Sequence, residues 1–193
     1  MKKIILGSCL IIASLMLVAC GAFSTSSTMS DFIVFDEVYA LHDQSDHVVL
    51  ARILDETTEL VDTLIRHPQI DPYEVFTINT IEILEVFSGS LRVGDITRVW
   101  QLGGRYGNTQ LNNYDKTSLA LGESLVLFLN NNTFDANRPL GLTAPTQSAY
   151  HFPSIIPFSV GDDFELESVN PSNPLSLTLG DIINITNETT ENE

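Results

Sequence analysis

Six consecutive residues hold the densest set of side chains that could bind a metal or move a proton: His42-Asp43-Gln44-Ser45-Asp46-His47. Two imidazoles and two carboxylates are the donor types zinc accepts. The five-residue separation of His42 and His47 is neither the i,i+4 pair of one helix face nor the alternation of one strand face. A helix C-terminus followed by a turn accounts for the same residues, so no metal site is expected here. Asp162-Asp163 and Asp135-Ala136-Asn137 supply oxygens for calcium, but no run has the spaced Asp/Asn loop closed by Glu. Gly161-Asp162-Asp163 is more simply a hairpin turn. Gly103-Gly104-Arg105-Tyr106-Gly107 is rich enough in glycine to cradle phosphate, yet it lacks a following helix or a lysine. It is expected to be a mobile loop in which Arg105 and Tyr106 are candidates for contact with a partner, because both residue types recur at binding hot spots. No Gly-x-Ser-x-Gly motif marks a serine nucleophile. His67 before Pro68 is expected to be solvated, and His151 to be a strand residue with a backbone partner. Trp100 alternates with Ile96 and Leu102 and is expected in the core. No cofactor and no catalytic residue is expected.

The elements that must position these residues are mostly strands. Phe32, Phe35, Val38, Tyr39 and Leu41 have helical spacing, which predicts a helix within Asp31–Gln44, starting near Asp36. Ser45-Asp46 turns into a strand from His47 to Leu54 that is apolar on both faces and therefore central. Residues 55–72 carry two prolines and read as irregular. Tyr73 to Phe87 is a long strand whose apolar phase shifts from Phe76 and Ile78 to Ile81 and Ile83, which predicts a β-bulge near Asn79-Thr80. Strands follow at Ile96–Leu102 and Ser124–Leu129, with turns at Ser88–Ser90 and Leu121–Glu123. Weaker strands are expected near Tyr150–Phe152 and Phe164–Val169, and a short helix or turn at Thr178–Ile183.

Two basic residues, Lys2 and Lys3, precede an apolar run from Ile4 to Val18, about the length of a signal-peptide core and short for a span of ~20 residues. The run closes on Leu17-Val18-Ala19-Cys20, which resembles the lipobox of bacterial lipoproteins. The resemblance implies cleavage after Ala19 and a lipid on the Cys20 thiol, so residues 1–19 are expected to be a signal peptide. Residues 20–30 then read as lipidated Cys20 and a flexible tether, residues 31–185 as a single mainly-β domain, and residues 186–193 as a disordered acidic tail. Anchoring by two or more acyl chains is durable where one is marginal. The expected place is the extracytoplasmic face of the cell membrane.

Of the chain's 193 residues, 174 remain after that leader, enough for one domain with a real core. They carry 7 basic and 25 acidic residues, a net charge of −18, with Lys116 the only lysine. Such a surface repels nucleic acid and anionic lipid. The only other cysteine, Cys9, lies in the leader, so the mature fold has no internal disulfide to lean on.

The order of Ser45-Asp46, the long strand ending Glu85-Val86-Phe87-Ser88-Gly89, Val93-Gly94-Asp95, Gly103-Gly104 and Leu121-Gly122-Glu123 to Leu129 is similar to netrin-like domains, OB-type barrels that include the tissue inhibitors of metalloproteinases. The similarity covers roughly residues 46–130 and implies a small β-barrel with one N-terminal helix and a short C-terminal helix or turn. Those inhibitors act through a free N-terminal cysteine amine and several disulfides, which this chain lacks, so it implies no inhibitory residues. The leading expectation is a membrane-anchored, non-enzymatic binding module for a protein or small ligand. A cell-envelope hydrolase with a His/carboxylate site and a structural envelope protein without a specific ligand are the alternatives.

Overall fold

The computed structural model describes residues 24–28, 33–63, 72–132, 138–153 and 163–191. The chain is mainly β, with two helices among the described residues. Its spine is a pair of 16-residue strands, β2 (His47–Asp62) and β3 (Tyr73–Ser88), antiparallel from Val48↔Ser88 to Asp62↔Tyr73. The apolar pattern predicts an end to β2 at Leu54. It runs on through Asp55-Glu56-Thr57-Thr58 because this stretch is an exposed ribbon held by the ladder to β3, and so it carries no apolar alternation to read. Thr63 closes the ribbon with both its N–H and its hydroxyl on the Pro72 carbonyl, at 2.7 and 2.9 Å.

The register slips at three places, between Val48/Val49, Leu50/Ala51 and Ile53/Asp55. The third lies opposite Thr80 and Ile81, next to the expected bulge, but the extra residue is Leu54 on β2. The phase of β3 does not change there. Val75, Thr77, Asn79, Ile81 and Ile83 are all buried on one face, and the polar Thr77 and Asn79 disguised that alternation.

Four more strands complete the main sheet: β4 (Ile96–Leu102), β7 (Ser124–Asn130), β8 (Leu140–Leu142) and β9 (Ala149–His151). β3 pairs β4, β4 pairs β8 in parallel, β8 pairs β7, and β7 pairs β2, so the pairing returns to the strand where it began. Val49, Ala51, Ile53, Ile81, Ile83, Val99, Leu125, Leu127 and Leu129 pack together on one side of these strands. The other face of β2 and β7 carries Val48, Leu50, Val126 and Phe128, and the helices α1 (Val38–Asp43) and α2 (Leu179–Glu191) cover it with Leu41, Ile182 and Ile185. A strand buried on both faces reads as a continuous apolar run, as His47–Leu54 does.

Further segments differ from their sequence reading. Ser24–Thr28, expected in a flexible tether, forms β1, parallel to β6 (Thr109–Asn113), which is itself paired with β5 (Gly104–Tyr106). A Ser/Thr run is strand-prone, and the open edge of β6 offers it a ladder. The expected acidic tail is helical through Glu191. A reciprocal cap starts α2: the Asp181 N–H donates to Thr178 Oγ1 at 3.1 Å, and the Thr178 N–H and hydroxyl donate to Asp181 Oδ2 at 2.8 and 2.7 Å. Burial of Ile182 and Ile185 then carries the polar turns that follow. The strand expected over Phe164–Val169 shrinks to β10 (Glu165–Leu166), paired with β11 (Leu177–Thr178).

Candidate ligand pocket

The ladder between β4 and β8 is only two pairs long, Val99↔Leu140 and Trp100↔Gly141. Next to it lies a pocket of about 300 Å³, with Phe76, Trp100, Gln101, Leu102, Lys116 and Leu142 in its walls. Trp100 is not the core residue its alternation suggested. Its ring stacks on Phe76, with centroids 4.7 Å apart and planes at 20°, on the face opposite buried Val99. The Arg138 guanidinium stands 5.8 Å from the Trp100 ring centroid and donates to the Asp62 carbonyl at 3.0 Å.

Gln101 points the other way along β4 and is 5 % exposed. Its Oε1 accepts the Thr117 N–H at 2.9 Å, which fixes the amide orientation and leaves Nε2 as the donor end. That nitrogen is buried without a partner among the described residues. Thr117 is anchored in turn by its hydroxyl on the Pro145 carbonyl. The preceding residue, Lys116, faces Glu56 with 4.0 Å between Nζ and Oε2, the outer limit of an ion pair. Asn113 also borders the pocket, but both ends of its amide are engaged, by the Leu102 carbonyl and the Asp115 N–H.

The histidine cluster separates. His47 is buried, and both its nitrogens are occupied: Nδ1 accepts the Ser90 N–H at 3.2 Å, so Nε2 carries the proton and donates to Asn131 Oδ1 at 3.1 Å. It clasps two loops and offers no lone pair to a metal or substrate. His42 sits at the end of α1, with Nε2 3.3 Å from Ser88 Oγ and Nδ1 3.8 Å from Asp43 Oδ1. Asp43 is mostly solvated, and 3.8 Å is beyond hydrogen-bond range, so the three do not form a connected relay. His151 Nδ1 faces Glu123 at 3.8 Å, and the His151 backbone N–H donates to the Glu167 carbonyl. Among the described residues, no group of three or more His, Cys, Asp or Glu side chains is placed to hold a metal.

The glycine-rich segment is β5 rather than a loop. Arg105 opposes Gln110 and Tyr106 opposes Thr109. Arg105 borders an adjoining shallow depression with Gln110 and Tyr114, which shares Asn113 and Lys116 with the Trp100 pocket, and Tyr106 is half exposed; neither Arg105 nor Tyr106 lies among the residues lining the Trp100 pocket. Gly104 opens the strand at φ +135°, where a Cβ would stand 2.9 Å from Thr77 Oγ1. Cys20, His67, Asp135, Asn137 and Asp162 lie outside the described residues.

Sequence reading missed Phe76, Gln101 and Lys116 as pocket residues. Phe76 and Trp100 were legible as a pair only with the register known, since they lie on neighbouring strands. Compared with known proteins, the chain matches no family model and no curated protein. Among the described residues, no helix is long and apolar enough to cross a membrane.

Proposed function

We propose that this chain is an exported bacterial lipoprotein, held at the extracytoplasmic face of the cell membrane by a lipid on Cys20, and that its domain is a non-enzymatic module binding a small ligand. The leader and its Leu17-Val18-Ala19-Cys20 box support the anchoring. The pairing circuit β2–β3–β4–β8–β7–β2, parallel only at β4–β8, supports reading the sheet as a five-stranded OB-type barrel. The observation that carries the binding function is the aromatic pocket beside the short β4–β8 ladder. It combines apolar walls, a stacked tryptophan and a small number of polar groups, the usual make-up of a ligand site.

The test is native mass spectrometry of the full-length protein extracted from membranes, wild type against Trp100→Ala. A bound small molecule retained by the wild type and lost from the variant supports the reading. Turnover of envelope material by the purified protein, or identical spectra for both proteins, counts against it. In the same cells Cys20→Ser is expected to leave the membrane fraction; if it stays, the lipid anchor is refuted.

The hydrolase reading has one observation in its favour, the approach of His42 Nε2 to Ser88 Oγ. The seryl hydroxyl would need a base with an oriented partner, and Asp43 is too distant and too solvated to orient it.

A further inference from the structure

We infer that the Trp100 pocket and the adjoining depression at Arg105 form one two-part site for an anionic amphiphile, with its hydrocarbon end against Trp100 and Leu102 and its phosphate head between Lys116 and Arg105. The inference rests on the binding-module reading and names its ligand class. Three observations support it.

The first is the meeting of two unlike halves. The pocket beside β4 and β8 is walled by Phe76, Trp100, Leu102, Leu142 and Pro145. The depression on the β5–β6 hairpin is walled by Arg105, Gln110, Asn112 and Tyr114. Asn113 and Lys116 border both, so the halves adjoin. A ligand with one apolar and one polar end matches that division, whereas a wholly apolar one leaves the second half unfilled.

The second is charge. Beyond residue 19 the chain has seven basic residues against 25 acidic ones. Yet among the described residues no Asp or Glu lines either half. Arg105 and Lys116 line the hairpin half, and Arg138 stands over the Trp100 ring. Arg52 and Arg98, by contrast, are paired with Glu82 and Glu59. Lys116 is one-quarter exposed and meets Glu56 only at 4.0 Å, so its ammonium is partly committed at most. A guanidinium and an ammonium on one concave wall suit a phosphate, which has oxygens to accept from both. Gln110 Nε2 donates to Asn112 Oδ1 at 2.8 Å, which leaves Asn112 Nδ2 as a further donor. A cationic head meets repulsion here.

The third is the opening at Gly141. This residue of β8 pairs with Trp100, and a Cβ added to it would stand 3.5 Å from the indole Nε1 and 3.9 Å from Cδ1. Its φ is not in the left-handed region, so the backbone does not require glycine. What the missing side chain provides is an uncovered indole edge, next to the cavity of about 300 Å³ that would take the hydrocarbon.

Trp100 is the only tryptophan in the chain, so its emission reports the apolar half without labelling. The experiment titrates the full-length lipidated protein with octyl phosphate, octanol, octyltrimethylammonium and inorganic phosphate. The protein sits in neutral phosphatidylcholine vesicles at one lipid concentration, so that partitioning is the same for every variant. Octyl phosphate is expected to give a saturable shift at micromolar to millimolar concentration, with octanol weaker by about tenfold and the ammonium weaker still. Lys116→Gln and Arg105→Gln are each expected to weaken octyl phosphate by about tenfold, while the charge-matched control Arg92→Gln changes nothing. Gly141→Val fills the uncovered edge and is expected to remove saturable binding. Melting curves establish that each variant is folded; if Gly141→Val is not, the two charge variants decide. Octyl phosphate binding that ignores either charge variant, or that persists in folded Gly141→Val, overturns the inference. Equal saturation by octanol or the ammonium overturns the ligand class and leaves the binding module standing. Inorganic phosphate that displaces octyl phosphate at equal concentration shows an anion site alone and overturns the amphiphile. No saturable response to octyl phosphate overturns the two-part site, and the mass spectra of the Trp100→Ala comparison then judge the module separately.

Discussion

The side-chain amide of Gln147 meets the backbone of Phe35 at both ends: the Phe35 N–H donates to Oε1 at 2.8 Å, and Nε2 donates to the Phe35 carbonyl at 2.9 Å. Across 112 residues of sequence, one side chain completes the pairing that a strand would otherwise supply. It fastens the approach to α1 to the turn before β9. Gln147→Leu removes both partners and leaves two buried backbone groups unpaired. The expected loss is about 2–4 kcal/mol in urea unfolding, with early amide exchange at Phe35. A loss within the scatter of surface variants would show that the clasp contributes little.

Tyr150 gives the chain an alkaline limit. Burial pushes its phenol up to about 12, the hydrogen bond from Asn173 pulls it down, and nearby Asp181 adds to the rise. The folded state therefore holds this proton more tightly than the unfolded chain, whose phenol titrates near 10. The associated stability is fully present below about pH 10 and is lost as pH rises toward 12, up to ~3 kcal/mol in all. Tyr150→Phe is expected to flatten that part of the stability–pH curve. At neutral pH it costs about 1 kcal/mol, the bond that Asn173 Nδ2 makes at 3.0 Å to the phenol oxygen. Parallel curves for wild type and variant above pH 10 would refute the assignment.

Gly89 and Gly94 separate crowding from backbone strain. Both have positive φ, +100° and +87°. A Cβ at Gly89 would stand 2.3 Å from His47 Nδ1 and 2.4 Å from the Asp46 carbonyl, whereas at Gly94 it meets nothing within 4 Å. Gly94→Ala is expected to cost about 1 kcal/mol, the strain alone. Gly89→Ala is expected to cost at least ~3 kcal/mol, because it also displaces the His47 clasp. Equal melting temperatures for the two variants would contradict this geometry.

Ser88→Ala and His42→Ala test the hydrolase alternative. Neither is expected to alter any activity on ester or glycan substrates beyond what a misfolded control shows. Replacing Ser88 is expected to shift stability by less than about 1 kcal/mol, the value of its one contact to His42. A catalytic rate abolished in Ser88→Ala, with its melting curve unchanged, would revive that reading.

How much of this was legible follows physical lines. The apolar runs at His47–Leu54 and Ser124–Leu129 announce strands with two buried faces, because burial on both sides leaves no polar alternation. The outer half of β2 was illegible, since an exposed ribbon is held by backbone bonds that are the same for any side chain. On β3, inward Thr77 and Asn79 beside Phe76 and the equally buried Ile78 on the opposite face imitated a phase change. That same inversion marks the pocket: apolar residues face outward where Trp100 stacks, and polar ones face inward where Gln101 is buried. Residue type alone cannot separate a bulge from a binding face; cross-strand register can. The length of α2 was hidden for a related reason. Its last turns are polar, and their support comes from Ile182, Ile185 and the Thr178–Asp181 cap upstream.

Pairing of β1 with β6 has a consequence for the lipid anchor proposed at Cys20. Ser24, the first residue of β1, is four positions from Cys20 and opposes Thr109, beside the tip of the β5–β6 hairpin. Four residues span at most ~14 Å. With Cys20 anchored as proposed, the leash is too short for free tumbling, and the hairpin tip with Tyr106 becomes the foot of the molecule. Along β6 the ladder climbs from Thr109 to Asn113, and Asn113 borders the Trp100 pocket. The edge of the pocket at Asn113 thus lies roughly 13 Å along β6 from the hairpin tip. Lengthening the chain between Cys20 and Ser24 would loosen the stance without touching the pocket.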